Sequence, residues 1–280
     1  MTGDLLVVNE VSKCYRHGPL ALDAVTLRVP AGKTIGLVGE SGSGKSTLAR
    51  LALGLIAPDA GTVRFDGHDP HALRGRAGRH IRARLQFVPQ QPRGSLNPAL
   101  RAGEAVGFAL RVHGIPRTER PERVAELFRQ VGLDPALARR HPHQLSGGQV
   151  QRIAIARALA TGPELIVCDE PTSALDTTVQ AQVLDLLGEL QERLGLAYLF
   201  ISHDLAVVRQ LAHRVVVLRQ GRVVEENSTA DLWNAPRHPY TRALLAADSG
   251  HIPEPSTPAG AEHPAHVGEP TAPSVTTRNP

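Results

Sequence analysis

The 280-residue sequence is poor in cysteine, in aromatic residues and in lysine. Its two cysteines, Cys14 and Cys168, lie far apart and form no C-x-x-C pair, which argues against a disulfide framework and a cysteine metal cluster. No apolar run reaches the roughly 18 residues of a membrane span, and the N-terminal segment MTGDLLVVNE lacks the pattern of a secretory signal. We therefore expect a folded protein of a reducing cytoplasm that neither spans a membrane nor is exported.

The positive charge is carried almost entirely by arginine, and the formal net charge is +4. Several arginines cluster in one short stretch: Arg74, Arg76, Arg79, Arg82 and Arg84. Such a cluster can bind nucleic-acid phosphates, but no aromatic residues are interleaved to stack on bases. A solvated helix or loop is the favoured interpretation, and no nucleic-acid partner is predicted.

Hydrophobic periodicity predicts strands early in the chain and helices later. Residues 24–29 and 62–67 alternate apolar and polar side chains, and residues 34–39 form a short apolar run. In residues 122–131 the apolar side chains fall on one helical face: Val124, Leu127, Phe128 and Val131. The middle of the chain is therefore predicted to be mainly helical.

The following segment reads as strand, helix, strand, with strands at residues 164–169 and 197–202 and a helix over 177–194. This order predicts a parallel sheet and an α/β fold. Residues 250–280 are rich in proline and alanine and have few large apolar side chains, so we expect them to be disordered. The histidines in that tail are interpreted as solvated rather than metal-binding.

A phosphate-binding loop is indicated by GESGSGKST, residues 39–47, which matches G-x-x-x-x-G-K-[ST]. It follows a predicted strand and opens an apolar-patterned helix, LARLALGLI. Glycines let backbone N–H groups converge on phosphates, and the helix N-terminus adds its positive dipole end. We expect Lys45 to reach the terminal phosphates and the Ser46 hydroxyl to reach Mg²⁺.

A nucleoside triphosphate with magnesium needs carboxylates nearby, and LIVCDE supplies two. Asp169 closes an apolar run, where it can hold Mg²⁺ through the hydration shell. Glu170 follows, placed to orient or deprotonate a water molecule. The pair is a weak signal alone but a strong one beside the phosphate loop.

The stretch LSGGQVQR, residues 145–152, places a serine and two glycines before the apolar run IAIARALA. Ser146 is a plausible N-cap, and the glycines remove side chains from the first helical turn. Alone, this pattern favours an ordinary capped helix. A second site for an anion at this bare helix N-terminus is the alternative.

Together these motifs resemble the ATP-binding subunit of an ABC transporter, from about Leu5 to Ala247. LSGGQ at 145–149 matches the family signature, and SALD at 173–176 resembles its D-loop. Gln90 resembles the Q-loop glutamine, His203 the switch histidine, and Tyr15 an aromatic residue that stacks on adenine.

The resemblance implies a P-loop NTPase fold: a RecA-like parallel core, an N-terminal antiparallel β part and an inserted helical subdomain. The ATP-binding domain would span residues 1–249, with the helical subdomain at about 92–160 and a C-terminal segment at about 227–247. It implies ATP and Mg²⁺, with catalytic Glu170, His203, Gln90 and Lys45, and metal ligands Ser46, Gln90 and Asp169. The implied ATP-binding residues are Gly39, Glu40, Ser41, Gly42, Ser43, Gly44, Lys45, Ser46, Thr47, Tyr15, Ser146, Gly147, Gly148, Gln149 and Asp176.

In this family two subunits pair head to tail, and the signature of one caps the terminal phosphate of ATP held by the other. GSLNP at 94–98 and RHPYTRALLAA at 237–247 resemble the oligopeptide and dipeptide importer branch, which includes nickel importers. The resemblance thus implies a sister ATPase as heterodimer partner, two membrane permeases, an extracytoplasmic substrate-binding protein, and a peripheral position on the cytoplasmic face of the cell membrane. The HPY stretch itself is interpreted as a terminal helix that packs on the body.

Two alternatives belong to other classes. A soluble ABC-type ATPase that acts on chromosomes needs a long coiled coil, but residues 39–145 hold no sustained heptads. A GTPase or small-molecule kinase shares the phosphate loop, but the chain has no NKxD motif and such a protein would leave LSGGQ without a role. One departure from the family pattern is Gln91, where many members have an acidic residue after the Q-loop glutamine.

Overall fold

Two β-sheets form the framework of the computed structural model, which describes residues 3–16 and 18–248. The tail predicted to be disordered, residues 250–280, lies outside the described residues. Both cysteines are free thiols. Across the described ranges, no helix combines the length and the apolar character needed to cross a bilayer.

The strands are β1 (Asp4–Cys14), β2 (Leu20–Pro30), β3 (Thr34–Val38), β4 (Ala60–Phe65), β5 (Leu85–Val88), β6 (Leu165–Asp169), β7 (Ala197–Ile201), β8 (Arg214–Arg219) and β9 (Arg222–Ser228). The helices are α1 (Lys45–Ala52), α2 (Gly75–Arg84), α3 (Pro92–Ser95), α4 (Ala102–Val112), α5 (Arg120–Gln130), α6 (Gly147–Leu159), α7 (Thr177–Leu194), α8 (Leu205–Leu211), α9 (Thr229–Asn234) and α10 (Pro239–Asp248). Short 3-10 turns at Pro135–Arg139 and Pro142–Gln144 precede α6.

The larger sheet has the order β5-β6-β7-β3-β8-β9 and is parallel except for β9, which pairs antiparallel with β8. Every residue of β3 and β7 is buried, as is typical of parallel strands covered on both faces. The smaller sheet, β2-β1-β4, is antiparallel. The predicted α/β fold with a parallel core and an N-terminal antiparallel part is confirmed.

Residues 92–159 contain helices α3 to α6 and the two 3-10 turns, with no strand. The predicted apolar face of α5 is buried among α4 and α6, and Phe128 is fully buried.

The arginine cluster lies mostly exposed along α2, while Arg84 pairs with Asp66 at 2.8 Å and with Glu164 at 2.5 Å.

The helix after the phosphate loop is shorter than predicted. It ends at Ala52 rather than continuing through Ile56, because Gly54 adopts a left-handed conformation with φ of 69°. The Leu55 N–H then donates to the Arg50 carbonyl at 2.9 Å, which closes the last turn.

Strands β1, β5, β8 and β9 were not predicted from periodicity.

Candidate functional site

The phosphate loop connects β3 to α1 and is shaped by glycines with positive φ. Gly44 is the N-cap of α1 with φ of 109°, and Gly39 has φ of 148°. A Cβ atom on Gly39 would lie 2.0 Å from the Leu218 carbonyl oxygen of β8. The sheet therefore holds the loop so closely that only glycine fits at Gly39.

Lys45 is the first residue of α1 and is buried inside this loop. Its Nζ donates to the Gly39 carbonyl at 2.7 Å and to the Glu40 carbonyl at 2.8 Å. Burial lowers the pKa of the Lys45 ammonium, although the nearby carboxylates of Asp169 and Glu170 act in the opposite direction. The charge is thus held at the loop by backbone carbonyls, where a phosphate oxygen could replace them as its partner.

Asp169 lies at the carboxyl end of β6, beside the start of α1. Burial raises the pKa of Asp169, although the nearby Ser46 side chain acts in the opposite direction. In open α/β sheets, ligands bind at the carboxyl ends of the strands. A hydroxyl and a partly desolvated carboxylate side by side are oxygen donors of the kind that Mg²⁺ prefers.

Glu170 follows Asp169 in a left-handed backbone conformation, with φ of 47°. Its two carboxylate oxygens have different partners: Gln90 Nε2 donates to Oε2 at 2.7 Å, and His203 Nδ1 lies 3.1 Å from Oε1. A non-glycine residue in this conformation costs about 1–3 kcal/mol and is common at active sites. In this conformation the carboxylate contacts both Gln90 and His203.

These groups surround a cavity of about 550 Å³. It is lined by Ala21, Ser41, Gly42, Gly44, Lys45, Ser46, Thr47, Gln90, Glu170 and His203. Its volume, the backbone N–H groups at the start of α1 and the Lys45 cation fit a triphosphate. Ala21 was not predicted, since an alanine in a strand carries no chemical signal.

The donor set also fits magnesium held jointly with phosphate. Within residues 3–16 and 18–248, no group of three or more His, Cys, Asp or Glu side chains could hold a metal alone. Mg²⁺ typically binds through one or two protein oxygens together with substrate phosphates and water. Ser46, Asp169 and Gln90 provide such a partial set.

The signature residues lie elsewhere and do not line this cavity. Ser146 is the N-cap of α6, as predicted: the Gln149 N–H donates to Ser146 Oγ at 3.2 Å, and the Ser146 N–H donates to Gln149 Oε1 at 3.0 Å. A Cβ atom on Gly148 would lie 2.5 Å from Val179 Cγ1 of α7. Gly148 thus has a packing role as well as leaving the helix N-terminus bare.

Six other predicted residues also lie outside the cavity lining: Tyr15, Gly39, Glu40, Ser43, Asp169 and Asp176. Asp176 is the N-cap of α7 and accepts from the Val179 N–H at 2.9 Å. Tyr15 is 40% exposed, and its hydroxyl lies 3.4 Å from Thr47 Oγ1, at the edge of the phosphate loop. An exposed ring beside the loop is available to stack on a base.

One contact was missed by the sequence reasoning, which gave the HPY stretch no role beyond packing. The hydroxyl of Tyr240 in that stretch accepts a hydrogen bond from the Glu40 backbone N–H at 3.0 Å. The two residues are 200 positions apart, so no local pattern could place them together.

Comparison with protein families matches residues 22–173 to the ABC transporter family. A protein of Brucella abortus (strain 2308), which has the provisional name peptide import ATP-binding protein, is 51% identical over 228 residues. That match covers 80% of this chain and 68% of the relative. A Brucella ovis protein with the same provisional name is 48% identical over 262 residues, covering 92% of this chain and 81% of the relative.

Solved structures give the same fold. The ATP-binding cassette MJ0796, a dimer in a post-hydrolysis state bound to ADP and Pi, matches with a TM-score of 0.73 and 35% identity. The match covers 80% of this chain and 98% of that one. The protein cbiO1 from Clostridium perfringens, part of the ABC transporter complex cbiONQ, matches with a TM-score of 0.75 and 28% identity, covering 83% and 91%.

Proposed function

The chain belongs to the ABC transporter family of ATP-hydrolysing proteins, and from this premise we propose that it powers the uptake of peptides through partner permeases. The observation that carries the energy-coupling part is the cavity that brings Lys45, Gln90, Glu170 and His203 around one phosphate loop. The peptide part is supported by relatives of about half identity named for peptide import.

The proposed chemistry assigns one role to each group of residues. Backbone N–H groups of the loop and Lys45 would bind the triphosphate oxygens. Ser46, Asp169 and Gln90 would hold Mg²⁺, which when bound neutralises charge on the phosphates. Glu170 would orient the attacking water and accept its proton, and His203, 3.1 Å from the Glu170 carboxylate, would contact the terminal phosphate.

In this proposal, the signature of a second chain completes the ATP site of the first. The Ser146 turn lies outside the cavity that its own chain forms. If two cassettes pair head to tail, the N-terminus of α6 in one can face the phosphate in the other, with its positive dipole end toward the anion. Asp176 would then lie at the same interface, and ATP would join the two chains.

By the same proposal the chain pairs with a sister ATPase and docks on two permeases at the cytoplasmic face of the membrane, with an extracytoplasmic binding protein delivering the cargo. A nickel importer of the same branch is the second candidate. A soluble ABC-type ATPase is the third, and it would not sediment with membranes when the permeases are co-expressed.

The decisive experiment is ATP hydrolysis by the purified complex, with the binding protein loaded in turn with dipeptides, longer peptides or Ni²⁺. We expect peptides to stimulate hydrolysis and Ni²⁺ to have no effect, with a complex carrying Glu170→Gln as the blank. Stimulation by Ni²⁺ alone would favour the nickel importer. A transport role would be contradicted if no cargo stimulated hydrolysis and the chain remained in the soluble fraction.

A further inference from the structure

The phosphate loop is held from outside by the C-terminal segment. Tyr240, in the first turn of α10, is only 7% exposed, and its hydroxyl accepts a hydrogen bond from the Glu40 N–H at 3.0 Å. The guanidinium of Arg219 lies 4.8 Å from the centre of the Tyr240 ring. The ring is thus fixed by packing on one side, and its polar end is directed at the loop.

Glu40 is also the residue whose backbone binds the catalytic lysine. Its carbonyl accepts from Lys45 Nζ at 2.8 Å and from the Ser43 N–H at 3.2 Å. The peptide groups on either side of Glu40 are therefore tied to Tyr240 and to the interior of the loop. A shift of Glu40 would move the carbonyl that positions the Lys45 ammonium.

A chain of hydrogen bonds connects Tyr240 to β9, the antiparallel edge strand of the larger sheet. The Glu225 carboxylate of β9 accepts from the backbone N–H groups of Arg237 at 2.8 Å and His238 at 2.9 Å. His238 Nδ1 then accepts from the Tyr240 N–H at 3.1 Å. The backbone at the start of α10 is thus fixed to β9. The Tyr240 hydroxyl, which this backbone carries, can therefore hold the Glu40 N–H in place.

We propose that Tyr240 is a positioning residue for the phosphate loop: through its hydroxyl, the C-terminal segment fixes the backbone of Glu40 and so sets the affinity for nucleotide. Tyr240 does not line the cavity, so its proposed effect acts through Glu40. The inference rests on the proposed assignment of residues 39–47 to the phosphates. Removing the hydroxyl would leave the Glu40 N–H without its partner and the loop free to adopt conformations that bind phosphate poorly.

The test compares Tyr240→Phe with a matched control, Tyr198→Phe, in the full-length chain. Tyr198 is fully buried, and its hydroxyl donates to the Leu187 carbonyl at 3.1 Å, away from the loop. Equilibrium titration with ATP and Mg²⁺ should give a Kd about fivefold to tenfold higher for Tyr240→Phe and unchanged for Tyr198→Phe. An unchanged Kd for Tyr240→Phe, or an equal rise in both variants, would overturn the proposal.

Hydrogen exchange distinguishes a local loosening of the phosphate loop from a general loss of stability. Peptides covering residues 39–44 should exchange faster in Tyr240→Phe, while peptides from β7 should exchange at the wild-type rate. In the assembled complex the KM for ATP should rise with little change in kcat. If Tyr240→Phe does not fold, His238→Ala, which removes the acceptor of the Tyr240 N–H, should raise the Kd in the same direction, and an unchanged Kd would count against the proposal.

Lys45→Ala separates this inference from the assignment of the loop. If Lys45→Ala abolishes binding while Tyr240→Phe binds like the wild type, only the role of Tyr240 is wrong. If Lys45→Ala binds ATP normally, the loop assignment itself fails and the role of Tyr240 fails with it.

Discussion

Glu170 combines a strained backbone with a carboxylate whose oxygens are both engaged. Gln90 occupies one oxygen and His203 the other, at 2.7 Å and 3.1 Å. A general base needs a free lone pair directed at its substrate, so one of these contacts must open when a water molecule binds. His203, whose side chain is 60% exposed, is the partner with more room to move.

Glu170→Gln should lower kcat for ATP hydrolysis by about 10²- to 10⁴-fold and leave ATP binding intact, because the amide keeps the shape but cannot accept a proton. The measurement is single-turnover hydrolysis by the complex alongside equilibrium binding of ATP. Glu164→Gln is the control, since Glu164 precedes the same strand but pairs with Arg84 away from the cavity. Hydrolysis at the wild-type rate by Glu170→Gln would show that Glu170 is not the base.

At the scale of elements, helices α6 and α7 pack closely at the signature. The first turn of α6 packs against Val179, and a Cβ atom on Gly148 would lie 2.5 Å from Val179 Cγ1. Valine has a stiff side chain, so the contact cannot be relieved by rotation alone. The glycine therefore serves the folded monomer as well as any ligand at the helix N-terminus.

Gly148→Ala should lower the free energy of unfolding by about 1–3 kcal/mol through overpacking. Adding Val179→Ala should recover most of the loss in the double mutant, because it removes the clashing methyl group. Gly147→Ala is the control: its Cβ would lie 3.5 Å from Leu175, an ordinary contact, so stability should not fall. Urea unfolding of the four proteins checks this, and a double mutant no more stable than Gly148→Ala would contradict the packing argument.

The start of the C-terminal segment depends on the ionised carboxylate of Glu225. Burial acts to raise the pKa of Glu225, but the Arg237 N–H, the Thr241 side chain and His238 together outweigh it, and the net shift is downward. A carboxyl group with a lowered folded-state pKa adds stability above its unfolded pKa, and this stability is lost as the pH falls through the folded pKa.

Glu225→Gln should therefore lower the free energy of unfolding by about 1–3 kcal/mol at pH 7, and the gap from the wild type should close as the pH falls below about 4. Urea unfolding across this pH range is the measurement. Glu226→Gln is the control, since Glu226 pairs with the side chain of Arg214 at the surface and should change stability by less than about 1 kcal/mol. If the difference in free energy of unfolding between Glu225→Gln and the wild type did not change with pH, the charge of Glu225 could not be its cause.

Local signals account for the elements that were predicted well. Helix α7 begins and ends where predicted, because Asp176 caps its N-terminus and Gly195, with φ of 67°, ends it. Strand β8 has no alternation to mark it, since four consecutive residues are buried on both faces of the sheet. The phosphate loop could be predicted from its spacing, whereas the contact of Tyr240 with Glu40 depends on tertiary packing, which the sequence alone does not reveal.

At the scale of the whole molecule, the signature turn lies outside the cavity that the phosphate loop lines. Under the proposed head-to-tail pairing, the anion at the N-terminus of α6 would be the phosphate bound by the other chain. Mutations at the two places should therefore have different effects in the isolated chain and in the complex.

Ser146→Asp should separate the two roles of this residue. Aspartate is as good an N-cap as serine, so α6 should form normally, but its negative charge would oppose a phosphate at the helix N-terminus. The isolated chain should bind ATP with the wild-type Kd, while hydrolysis by the complex should fall at least about tenfold. Ser146→Asn, which caps without charge, is the control and should retain more activity than Ser146→Asp. If the complex with Ser146→Asp hydrolysed ATP at the wild-type rate, no phosphate would approach the signature. The proposed shared site would then be wrong, although the assignment of the cavity within each chain would not be affected.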